Sequence, residues 1–154
     1  MAGPIAMGAH KITGLANGSA SGDAAAFGQV PLCGAAATAT GGAQSAGAAT
    51  SYTALATPAA VTVTTATKAL VIVSAELSNA STGASFLGFA VSGATTLAAS
   101  DAQAMLAQIS GGNGQGSWVG LITLTAGVNT FTLQYRVTSS TANIENAGIT
   151  VVPF

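Results

Sequence analysis

Charge is almost missing from this chain. Of its 154 residues only 5% are Asp, Glu, Lys or Arg, where an ordinary soluble domain carries roughly 25%. The three cations, Lys11, Lys68 and Arg136, are scattered from one end to the other. Neutralising several phosphates takes a cluster of cations, so no nucleic-acid partner is expected, nor electrostatic steering to an anionic membrane. A formal net charge of −1 also removes the repulsion that keeps proteins apart. Self-association is favoured.

Cysteine and histidine are nearly as scarce. Cys33 stands alone, so neither an intrachain disulfide nor a thiolate metal cage can form, and it reads as a small buried hydrophobe. His10 is the only histidine and lies far in sequence from any strand-end cluster, which leaves Ser and Cys without the base that nucleophilic catalysis needs. Glycoside hydrolysis generally takes two carboxylates about 5 to 10 Å apart. Asp23, Glu76, Asp101 and Glu145 are the full supply. Asp23 reads as a helix cap, and the other three read as caps, partners of Lys68 or Arg136, or solvated groups. No acidic loop offers calcium several oxygens. The glycine-rich 110–116 stretch, SGGNGQG, lacks the Lys-Ser/Thr ending of a phosphate loop. No catalytic, cofactor or metal site is expected, and the chain does not read as an enzyme. No run reaches the ~20 apolar residues of a membrane span. The opening MAGPIAMGAHK has no apolar stretch of signal-peptide length, so synthesis in a cytoplasm and use elsewhere are expected.

What is present is apolar and hydroxyl-rich. Hydrophobic residues make up 49%, and Thr, Ser, Asn, Gln and Gly supply the polarity that charges do not. Three zones separate. Residues 1–31 hold an N-terminal element in which Asp23 caps a turn or two through Phe27. Residues 32–57, rich in Gly, Ala and Thr, read as an extended linker. Residues 58–154 read as consecutive short strands, hence an all-β, jelly-roll sandwich head. Val61 and Val63 alternate with threonines. Lys68–Asn79 places Val71, Val73, Ala75 and Leu77 on one face and Leu70 and Ile72 on the other, as in a strand covered on both sides. Further strands are predicted over 86–91, 118–125, 130–137 and 148–152. In the 130–137 strand, Phe131, Leu133, Tyr135 and Val137 alternate strictly with polar residues. A short helix or irregular excursion fits 99–109, where Met105, Leu106 and Ile109 have helical spacing. A loop fits 110–116. Trp118, after that loop, either stacks on a sugar ring or anchors the core, and the core reading has priority. Arg136 is expected to pair with Glu76 or Glu145 across strands or subunits, with a receptor contact as the alternative.

Two phrases carry a family resemblance. HKITGLANGSASGDAAAFGQV resembles a segment that recurs in bacteriophage tail-fibre, collar and minor tail proteins, with Ile12, Thr13, Gly14 and Leu15 matching its core and Asp23-Ala24 its second part. Where that family often turns acidic after the valine, this chain has Pro31. LITLTAGVNTFTLQYRV and ANIENAGITVVPF are similar to the C-terminal heads of phage fibres, trimeric jelly rolls of the tumour-necrosis-factor-like and complement type. The matching residues are Leu124, Ala126-Gly127, Asn129, Phe131, Leu133, Tyr135, Arg136 and 149–154. The resemblance implies a homotrimeric minor tail or tail-fibre protein, made in the bacterial host cytoplasm and residing in the virion. Ile12, Leu15, Asp23 and Phe27 would attach it to other tail or virion proteins. Val71, Val73, Phe131, Leu133 and Tyr135 would form core or trimer interface. Loops 79–85, 110–116 and 137–143 would face the host surface, with Asn79, Ser81, Asn113, Gln115, Trp118, Ser139 and Asn143 as candidate glycan contacts. Two other expectations stay open. One is a non-adhesive structural component of the particle, such as a capsid decoration, head fibre or tail-tip protein. The other is a small depolymerase that uses Glu76, Asp101 or Glu145.

Overall fold

Alternation of apolar and polar residues, the pattern of a half-buried strand, translates directly into sheet. The computed structural model describes residues 35–108 and 112–154. It contains the strands β1 (Ala37–Gly47), β2 (Thr53–Ala54), β3 (Ala60–Thr65), β4 (Lys68–Asn79) and β5 (Ser85–Gly93), followed by β6 (Met105–Ala107), β7 (Gly114–Thr123), β8 (Gly127–Val137) and β9 (Ala142–Pro153). All pairings are antiparallel.

One sheet has the order β1-β9-β4-β7. In the other, β8 pairs with β5 on one side and with both β2 and β3 on its opposite side, and β6 closes the far edge of β5. β2 and β3 thus act as one interrupted strand. Counted so, the chain winds eight strands into two four-stranded sheets. It crosses from one sheet to the other at every connection except β5 to β6. That winding is the jelly roll.

The register also fixes the two ends of the sandwich. Gly47 pairs with Ala142, Asn79 with Ala142 and Leu77 with Gly114, while Ser85 pairs with both Val137 and Ala107. Connections 48–52, 80–84 and 138–141, with Gln108 and residues 112–113, therefore share one end, called here the loop end. Ala37, paired with Val151, and Ala69, paired with Pro153, mark the opposite end, the base.

Between the sheets lies a single core. Val71, Val73, Ala75 and Leu77 of β4 meet Phe131, Leu133, Tyr135 and Val137 of β8, with Leu87 and Phe89 of β5 and Ile144, Ile149 and Val151 of β9. Val71, Val73, Phe131 and Leu133 are fully inaccessible and Tyr135 nearly so. These five candidates are core residues, and an interface cannot use them.

Three local expectations are corrected. The extended linker over 32–57 is instead sheet over much of its length, because β1 pairs with β9 from Ala37 to Gly47 and β2 pairs with β8. Its order comes from backbone bonding to neighbours, since its small side chains bury little. The 99–109 excursion is a 3₁₀ turn at Asp101–Gln103 followed by β6, in which Met105 and Ala107 are buried and Leu106 points out. The loop expected over 110–116 becomes strand at Gly114, since β7 continues along β4 as far as Leu77.

A buried amide braces each end. At the loop end Asn79 Nδ2 donates to Ser85 Oγ and to the Ser139 carbonyl, each at 3.2 Å, and its Oδ1 accepts from Ser81 N–H at 3.1 Å. At the base Asn129 Nδ2 donates to Thr65 Oγ1 at 2.9 Å and the Thr125 carbonyl at 3.1 Å, while Thr95 N–H donates to its Oδ1 at 2.7 Å. Both asparagines are wholly buried and bonded on both sides of the amide, as burial requires.

Candidate functional site

The outer face of the β1-β9-β4-β7 sheet is divided along its length. Near the base, strand register sets Leu121 beside Leu70 and Leu70 beside Val152. One row further on, Val119 adjoins Ile72 and Ile72 adjoins Thr150. Val119 and Leu121 are 56% and 57% exposed, and Leu70, Ile72 and Val152 are half-buried. This is a contiguous apolar patch, not the scatter of single residues that any surface shows. Leu70 and Ile72 were legible as a second apolar face of β4. Val119 and Leu121 gave less signal, because their strand alternates with glycines.

Toward the loop end the same face turns polar. Ser74 sits between Ser117 and Gly148, and Glu76 sits between Gln115 and Glu145. Two carboxylates thus occupy partner positions on adjacent strands, an arrangement that repels. Each is met by an amide: Asn113 Nδ2 donates to Glu76 Oε1 at 2.6 Å and Asn143 Nδ2 to Glu145 Oε1 at 2.8 Å. Beyond them a cavity of about 400 Å³ opens between the ends of β1, β4 and β9, lined by Ser45, Ala46, Ser78, Asn79, Thr141 and Asn143, among others. Its origin is in β1. Register shifts between Thr40 and Gly42, Gly42 and Gln44, and Gln44 and Gly47 displace that strand against β9, as bulges do.

The candidate loops 79–85 and 137–143 and the described part of the third, 112–116, converge on the loop end. Within them Ser81, Asn113, Gln115 and Ser139 are exposed and Asn143 is half-buried. Two candidate contacts are withdrawn. Asn79 is fully buried and spent on holding the loops. Trp118 lies in mid-strand with its ring centroid 5.6 Å from that of Phe89, so it packs on the core. Its indole lies over Gly120, where a Cβ would collide with it. Ser45, Ser78 and Thr141 were missed as individual residues; Ser45 sits in the small-residue zone, which gave no signal at all. Ile12, Leu15, Asp23, Phe27, His10 and Cys33, like the attachment element as a whole, lie outside the described residues.

No protein-family model and no curated protein matches the sequence. Among solved structures the chain is similar to Eiger TNF from S. frugiperda, with 14% identity and a TM-score of 0.45 over 77% of this chain and 92% of that one.

On the outer face of the other sheet, Arg136 forms an ion pair with Asp101, one of the three carboxylates read as its candidate partners, and not with Glu76 or Glu145 across strands. Topology explains the change: Arg136 is on β8, and both glutamates are on the opposite sheet. Arg136 Nε donates to Asp101 Oδ1 at 2.8 Å, with a second bond from Nη2 to Oδ2. The guanidinium lies 4.2 Å from the Phe86 ring centroid, and Tyr52 Oη donates to Asp101 Oδ1 at 3.0 Å. The Arg136 hydrogen bond holds the Asp101 carboxyl below its usual range. Burial, then the bond to Asp101, pushes the Tyr52 phenol well up. Every charge here is answered within the cluster, which clamps the 3₁₀ turn and the 48–52 connection to the sheet. Among the carboxylates considered for glycan cleavage, Glu76 and Glu145 meet on an open sheet face and Asp101 is tied to Arg136. No cluster of three or more His, Cys, Asp or Glu suited to a metal exists among the described residues.

Proposed function

We propose that this chain is a non-enzymatic virion protein of a phage tail, a homotrimeric minor tail or tail-fibre subunit whose jelly-roll head touches the host surface. The observation that carries the reading is the apolar half-face formed by Leu70, Ile72, Val119, Leu121 and Val152. In a chain with so little charge, such a face is covered most economically by further copies in closed symmetry. Three copies would then act together on a surface through effective concentration. The loop end carries hydroxyls and amides, its charge being the Glu76–Glu145 pair on one sheet and the mutually neutralised Arg136–Asp101 pair on the other, and that chemistry suits neutral glycans. The two sequence phrases described above supply the assignment to a phage tail, with other tail or virion proteins as partners of the N-terminal element.

A non-adhesive structural role in the particle would use the same apolar face and is separated by one experiment. Particles with and without this protein are imaged and scored for adsorption to susceptible cells. The proposal expects density at the tail, threefold symmetry of the head and adsorption lost with the protein. Density on the capsid with adsorption intact would make it a decoration. A further assay, sugar release from host envelope, is expected to give none; release that falls in Glu76→Gln or Glu145→Gln would establish a depolymerase instead.

A further inference from the structure

Resting on the reading that the loop end meets the host surface, we propose that the cavity between β1, β4 and β9 is the binding site for an uncharged, polyhydroxylated ligand, one sugar unit of a neutral glycan. Its volume of about 400 Å³ lies within the range typical of small-molecule sites. Three hydroxyl residues, Ser45, Ser78 and Thr141, line it, with Asn143, whose amide Nδ2 also donates to Glu145. Hydroxyls donate and accept, so such a lining answers a ligand that does both at every position. No Lys, Arg, Asp or Glu is among the lining residues described.

The surroundings select against a charged sugar. Glu145 is bonded to the lining residue Asn143 and stands opposite Glu76, so an anionic ligand would approach two carboxylates with no cation beside them in the described sheet. Neither described cation lines the cavity. Lys68 is at the base end of β4, and Arg136 is on the other sheet and bound to Asp101.

Backbone strain marks the same place. Three non-glycine residues among those described have left-handed φ: Ala46 at 48°, Ser140 at 63° and Asn146 at 52°. Such conformations carry a cost and tend to cluster where a site needs them. Ala46 lines the cavity, Ser140 precedes the lining residue Thr141, and Asn146 follows Glu145 in the irregular part of β9. The Asn79 amide, bonded to both neighbouring loops, holds the floor in place before any ligand arrives, which lowers the ordering cost of binding.

The test is an amide chemical-shift titration of the full chain. The probes are short oligomers of glucose, galactose, rhamnose and N-acetylglucosamine, with oligogalacturonate as the charged comparison. At least one neutral oligomer is expected to shift amides at 45–46, 78–80 and 141–143, with a dissociation constant on the order of millimolar per site; oligogalacturonate is expected not to. Asn143→Ala, which removes the amide, and Ser45→Tyr, which fills the space from an exposed position, should each weaken binding about tenfold at an unchanged thermal midpoint. Shifts centred elsewhere, no response to any neutral oligomer, tighter binding of the uronate, or equal binding by both variants would each overturn the site. Particles carrying Ser45→Tyr that adsorb normally sink the cavity and leave the tail-head reading standing. Particles lacking the protein that adsorb normally sink that reading itself.

Discussion

At Asn129 a single amide serves four segments, bonding Thr65, Thr95, Thr125 and the start of β8 at the base of the sandwich. Removing it leaves the Thr95 N–H and the Thr65 hydroxyl without their partner in a buried setting, and an orphaned buried group costs about 1–3 kcal/mol. Asn129→Ala should therefore lower unfolding stability by roughly 2 kcal/mol in urea titration; a loss indistinguishable from zero would mean that water replaces the amide. The Arg136–Asp101 pair predicts something different, because it is partly solvated: the Asp101 side chain is 48% exposed. The folded state holds the Asp101 carboxyl below its ordinary value, first through the Arg136 hydrogen bond. Its contribution is complete above the unfolded pKa of about 3.9 and disappears as pH falls through the lower folded value. Asp101→Asn should melt slightly below wild type at neutral pH and together with it in strong acid, as read by circular dichroism. A gap that persists in strong acid would assign the effect to packing of the turn.

Strand by strand, the two faces of β4 make the next prediction. Leu77 is fully buried against β9 and the opposite sheet, whereas Leu70 lies on the outer face beside Leu121 and Val152. Leu77→Ala should cost about 2–5 kcal/mol in chemical denaturation of the isolated subunit. Leu70→Ala should cost well under half of that and act on association instead. The same alternation made β3, β4, β8 and the C-terminal part of β9 legible in the sequence, since Val, Phe and Leu contrast with Thr, Gln and Ser at period two. β1 was illegible for the converse reason. ATATGGAQSAG has almost no difference in hydrophobicity between its faces, and only its backbone pairing with β9 makes it a strand. β6 was disguised because Met105, Leu106 and Ile109 also fit helical spacing, and β7 because its glycines at 114 and 116 look like loop until Leu77 and Ala75 pair with them. The three candidate loops could be picked out by composition, but the convergence of their described residues at one end follows from register. The cavity needed the displacement of β1, and no local signal carries that. Asp101 was one of three acids open to Arg136, and the preference for Glu76 or Glu145 failed because pairing partners depend on which sheet each residue occupies.

Across the whole molecule, the division of one sheet face into an apolar half and a polar half separates two jobs that many surfaces combine. The apolar half has Lys68 as its nearest charged neighbour in register, so an assembly formed there draws little from ion pairs. Contacts of that kind are insensitive to salt screening, strengthen in sulfate and weaken on cooling. Sedimentation equilibrium should accordingly find self-association nearly unchanged between low salt and about 1 M sodium chloride, tighter in ammonium sulfate and looser in the cold. Leu121→Asp places an unpaired carboxylate in the middle of the patch, where desolvating it on assembly is costly. Its side chain points to solvent in the subunit, so the variant should fold with an unchanged near-ultraviolet spectrum and sediment as a monomer. If association instead collapses on adding sodium chloride while Leu121→Asp still assembles, the contact runs through the scarce charges at Glu76, Glu145 and Lys68. The apolar half would then have some other use, and the case for a closed ring of identical heads would fall with it.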